Sequence, residues 1–137
     1  MNRHNLQRMA DHIRTVPQEK FSMDLYRHGS ERTRKCGSVG CVVGHCTILS
    51  DEPLPRTDDG TIDFAAFTDA FIGFRLGDFR WNWCFDSRWL YIDNTPTGAA
   101  LRIEWLINKG LPRNWRAQMK GTHKLCYYNN QPEPTTR

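Results

Sequence analysis

Leu6, Met9, Ala10, Ile13 and Val16 recur at i, i+3, i+4, i+7 and i+10, which predicts an amphipathic helix with one apolar stripe. Pro17 ends it, because the residue before a proline is pushed out of the α region. Phe21 to Tyr26 alternates apolar and polar, the pattern of a short strand or an extended segment across the core. The charged run from Arg27 to Lys35, with Gly29 and Ser30, reads as an exposed loop. Val39, Val42, Val43 and Cys46 then return to helical spacing, so residues 38–46 predict a buried helix with Ser38 as its N-cap. Gly40 and Gly44 lie four apart on one of its faces and would let a neighbouring element approach closely.

Residues 50–60 are a loop by composition. Asp63 can cap a helix whose apolar face is Phe64, Phe67, Phe71 and Phe74. Phe79, Trp81, Trp83 and Phe85 alternate with Arg80, Asn82 and Cys84, and a period of two predicts a strand. A short helix through Trp89, Leu90 and Ile92, capped by Asp86 or Ser87, would bury the same aromatics and stays open. The clearest signal is the helix that follows. Asn94 or Thr95 can cap it and Pro96 suits its first position. Ala99, Ala100, Ile103, Leu106 and Ile107 form its apolar face, and Gly110 and Pro112 stop it. His123, Leu125 and Tyr127 alternate in a second short strand, and residues 129–137 carry two prolines and no large apolar residue, so they should fray. The pattern predicts an α+β fold, mainly helical: one globular domain over residues 1–128, with about four helices and one or two short strands, then a polar tail over 129–137.

Length and charge narrow the function classes. A chain of 137 residues supports one core and not two. Five Trp, seven Phe and four Tyr make that core aromatic. The net charge of +4 is too small to argue for nucleic acid by itself, but residues 51–63 are acidic and residues 109–124 are basic with no acid at all. No apolar run approaches the ~20 residues of a membrane span, and the polar start is unlike a signal peptide. A cytoplasmic protein with no membrane association is expected, and the odd count of five cysteines fits reduced thiols.

Cys36-Gly37-Ser38-Val39-Gly40-Cys41-Val42-Val43-Gly44, followed by Asp93-Asn94-Thr95-Pro96 and Ala99-Ala100-Leu101-Arg102-Ile103, resembles a loose group of small uncharacterised phage and bacterial proteins. The shared pattern is Cys-Gly-Thr-x-x-Cys-x-x-Gly-Trp, a Trp-containing stretch, and a capped Ala-rich helix with an Arg. The resemblance is one of motif order over roughly residues 5–110. It carries no activity to transfer. Ser38 stands where Thr is usual and can still cap; His45 stands where an aromatic is expected, so no catalytic or metal role for it is inherited.

Three chemistries can be drawn from the residues. Cys36, Cys41, His45 and Cys46 are zinc-ligand types, as are His123 and Cys126, but Cys-x4-Cys-x3-His-Cys is not a usual zinc spacing. Buried reduced cysteine, with no metal or cofactor, is the expectation. Cys41 in the first turn of a helix could be a nucleophile, with His123 or His45 as base and Asp93 or Asn94 to orient it; the surrounding valines argue instead for burial. Arg32, Arg34 and Lys35 precede a helix start, but no Gly-Lys-Ser/Thr follows to make a phosphate loop. Trp115, flanked by Arg113 and Arg116 and followed by Lys120, is the best candidate for a partner-binding surface, because Trp and Arg are favoured at binding hot spots. The residues thus point to a small phage-type accessory protein that binds a host or phage macromolecule, most readily a protein. By genomic analogy it could inhibit a host defence complex. A cysteine-dependent hydrolase or transferase centred on Cys41, and a nucleic-acid binder of weak affinity, are the rival expectations.

Overall fold

The computed structural model describes residues 1–23 and 41–128. Among these residues the protein is built from six α-helices: α1 (Arg3–Ile13), α2 (Val42–Cys46), α3 (Phe64–Ile72), α4 (Phe79–Phe85), α5 (Pro96–Lys109) and α6 (Trp115–Met119). Short 3-10 turns at Gln18–Lys20, Thr47–Leu49 and Ser87–Tyr91 join them. The described residues form no strand, and the bridge between Arg56 and Ile62 stands alone. The expected α+β class is therefore corrected to all-α.

Residues 79–85 account for most of that correction. Asp78 caps α4, its Oδ1 accepting from the Arg80 N–H at 2.8 Å. Trp81, Trp83, Cys84 and Phe85 are all buried. A helix covered on most of its circumference shows no apolar stripe, so its aromatics fell by chance on a period of two. The open alternative for residues 86–92 resolves as a 3-10 turn, with Asp86 Oδ1 accepting from the Arg88 N–H at 2.8 Å. Residues 123–127 form a bend and a turn and no strand: Cys126 and Tyr127 are both buried although adjacent, which an alternating strand would not allow.

Elsewhere local chemistry places the helices where the pattern puts them. Leu6, Met9, Ala10 and Ile13 are fully buried on α1. Asp63 caps α3 through the Ala66 N–H at 3.0 Å, and Gly73 ends it with φ +90°. Thr95 caps α5 through the Gly98 N–H at 2.9 Å. Among the described residues, helices α1 and α5 share the most extensive interface. Arg14 Nη2 reaches Glu104 Oε1 across this interface at 2.5 Å. The predicted N-cap Ser38 and the tail 129–137 lie outside the described residues, as do Gly40 and the loop from Arg27 to Lys35.

Candidate functional site

Arg102 is a charged residue on the apolar face of α5, and it is fully buried. Its Nη1 donates to the Tyr127 hydroxyl at 2.7 Å and faces Asp93 Oδ2 at 3.4 Å; its Nη2 donates to the Asp93 carbonyl at 3.3 Å. The guanidinium carbon stands 4.1 Å from the centre of the Trp89 ring, a cation–π contact strengthened by the absence of water. Asp93 Oδ2 also accepts from Tyr127 at 2.8 Å and from Tyr128 at 2.6 Å, while Oδ1 accepts from Thr95 at 2.7 Å. Burial is the main reason why both tyrosine hydroxyls ionise above their ordinary range, Tyr127 the more strongly. A buried ion pair of this kind recovers its desolvation cost only when its hydrogen bonds are made. The cluster is closed to substrate and serves the fold. Arg102 on the stripe of Ala99, Ile103 and Leu106 was the sequence signal for it.

The cysteines are equally enclosed. Cys41 is the N-cap residue of α2, so the described helix begins one residue after it. Burial pushes its thiol up to about 11, against the opposing pull of backbone N–H groups of Gly44 and Val43. Burial likewise pushes Cys84 up to about 12 and Cys46 higher still. His45 donates through Nε2 to the Lys20 carbonyl at 2.6 Å. His123 is exposed, with Nδ1 3.2 Å from the Thr122 hydroxyl. No three His, Cys, Asp or Glu side chains among the described residues could together hold a metal ion, and Cys36 lies outside them.

The surface around α6 is built differently. Pro112 and the Asn114 turn start the helix, and Gln118, fully buried, fastens it to the core by accepting from the Cys126 N–H at 3.0 Å. Within the basic stretch after Gly110, Trp115–Met119 is thus helical. Trp115 is 6% exposed and points inward, its ring centroid 5.3 Å from that of Phe79. Phe79, at the start of α4, is 52% exposed. The Arg116 guanidinium carbon lies 4.6 Å from the Phe79 ring and 4.5 Å from the Trp115 ring. Arg116 and Lys120 stand four apart on one face of α6, with Arg113 at its entry, and all three are exposed. Residues 105–128 contain no carboxylate. Arg75, Arg80 and Arg88 each pair with a nearby aspartate, whereas no carboxylate among the described residues pairs with Arg113, Arg116 or Lys120. The contribution of Phe79 was missed from sequence because its apparent strand register assigned it to the core.

The chain matches no family model, no curated protein and no solved structure. No helix among the described residues is long and apolar enough to cross a membrane.

Proposed function

We propose that the protein is a small accessory protein that binds an acidic protein surface through the exposed side of α6. The observation that carries this reading is Arg116, a cation without a carboxylate partner, fixed over the Phe79 and Trp115 rings with Arg113 and Lys120 beside it. Arginine held in place on an aromatic platform loses little side-chain entropy on binding, and an exposed phenylalanine supplies apolar contact at its edge. Trp115 supports the platform from below. The phage setting, a cytoplasmic location away from membranes and an inhibitory role against a host complex belong to the same proposal and rest on motif order and composition. A cysteine-dependent enzyme is disfavoured by the burial of Cys41, which keeps its thiol protonated at neutral pH.

Charge reversal tests the reading. R113E/R116E/K120E changes exposed side chains and should leave stability within about 0.5 kcal/mol at each site. Capture from host cells, read by mass spectrometry, should recover an acidic protein with the unaltered chain and lose it with the variant. Equal recovery by both would sink the proposal. Retention of duplex DNA by the unaltered chain at physiological salt, with a steep fall as salt rises, would move the reading to nucleic acid.

A further inference from the structure

A cleft of about 460 Å³ opens between the first half of α1 and the loop at residues 50–55, with α3 as its floor. That volume lies within the range of small-molecule sites, about 300–1,000 Å³. The floor is apolar, formed by Ala70 and Phe71 over the buried Phe67. The α1 wall carries Arg8, and the facing loop carries Asp51 and Glu52.

Arg8 is positioned by the fold alone. Its Nη1 donates to Asn5 Oδ1 at 3.1 Å and its Nη2 to the Leu49 carbonyl at 3.1 Å. Asn5 is fastened in turn, donating through Nδ2 to the Phe71 carbonyl at 2.8 Å. The guanidinium carbon stands 5.5 Å from the centre of the Phe71 ring. These contacts use two of the five guanidinium N–H groups. Among the described residues, no ion pair joins Arg8 to Asp51, Glu52 or any other carboxylate, although all three line one cleft.

Residues of opposite charge therefore line the same cleft with no ion pair between them. A simple anion would meet Arg8 but be repelled by Asp51 and Glu52, and a simple cation would meet the reverse. A ligand that carries both charges at the ends of an apolar body satisfies both walls. We propose that the cleft binds a short apolar peptide with free termini, its carboxylate on Arg8, its ammonium on Asp51 and Glu52, and its side chains over Ala70 and Phe71.

The dipeptide Leu-Phe, titrated into the isotopically labelled full chain at neutral pH, tests this. Amide resonances of Asn5, Arg8, Asp51, Glu52 and Phe71 should shift together. N-acetylation or C-amidation of the dipeptide should each weaken binding tenfold or more. Arg8→Gln should weaken the free dipeptide and leave the C-amidated form unchanged. Glu52→Gln should weaken the free dipeptide and leave the N-acetylated form unchanged. Glu52 is exposed, and its carboxylate holds no other residue in place, so this second variant decides the matter even where Arg8→Gln does not fold. Absence of shifts at the cleft with millimolar dipeptide, or equal binding of the doubly blocked form, would overturn the proposal.

Discussion

The Asp93 carboxylate fills the space that a side chain at Gly98 would need. A Cβ at residue 98 would lie 2.5 Å from Asp93 Cγ and 2.7 Å from Oδ1, far inside van der Waals contact. Gly98 sits in the first turn of α5, where alanine would ordinarily stabilise the helix by roughly 1 kcal/mol. Here the sign should reverse. Gly98→Ala displaces Asp93 from Arg102, Tyr127 and Tyr128, and an overpacked site of this kind costs about 1–3 kcal/mol. Thermal unfolding measures it, and a variant that melts at or above the parent temperature would contradict the account.

Trp115 and Arg116 are neighbours that should behave oppositely on substitution. Trp115 is 6% exposed, so Trp115→Ala should cost roughly 3–5 kcal/mol of folding stability. Arg116→Ala should cost little stability and weaken partner capture. Denaturant titration of both variants separates the two roles. Similar midpoints would mean that the tryptophan is not part of the core.

How far the sequence disclosed these relationships depended on how each element meets its surroundings. Helices α1 and α5 each bury one side against the other, so their stripes were readable, and Asp63, Thr95 and Gly110 marked boundaries through capping chemistry that needs no tertiary partner. Helix α4 buries Trp81, Trp83, Cys84 and Phe85 over most of its circumference, and nothing in Phe79–Phe85 distinguishes that from alternation. Helix α6 has only five residues, too few for a periodic signal, and depends on the Gln118 bond to a residue eight positions away. At the site, the excess of positive charge was visible in residues 109–124, but which aromatic lay exposed was decided by the packing of α4 against the start of α6.

The central cysteine should be chemically quiet. Burial pushes the Cys41 thiol up from its ordinary 9.0 to about 11, so almost none is thiolate at neutral pH. A small alkylating reagent should label native Cys41 far more slowly than it labels the unfolded chain at pH 7. The folded thiol ionises later than the unfolded one, so its contribution to stability holds below pH 9 and is lost as the pH rises towards 11. Rapid labelling of Cys41 in the native protein would restore the enzyme reading.

Acid should weaken the fold gradually. The Arg14 side chain bonded to Glu104 holds that carboxyl below its ordinary 4.5, and Arg80 bonded to Asp78 holds it below 3.8. Depressed values mean that both contributions are complete above about pH 4.5 and are lost as the pH falls through the folded-state values. Each pair is partly open to water, with a worth of roughly 0–1 kcal/mol. Melting temperature should therefore decline modestly from pH 5 to pH 3, and Glu104→Gln should flatten part of that decline. A melting temperature constant across this interval would remove these pairs from the account.

The buried Arg102 also dictates when the fold can be completed. Tyr127 and Tyr128 provide the hydroxyls that finish its hydrogen-bonded cluster with Asp93, and they follow it by 25 residues or more along the chain. During synthesis, a chain that ends before Tyr127 can form α1 and α5 but must either expose the Arg102 face or bury a charge with its partners missing. The native core therefore closes only after nearly all of the described chain has left the ribosome. Until that moment the nascent protein presents an open aromatic face to its surroundings.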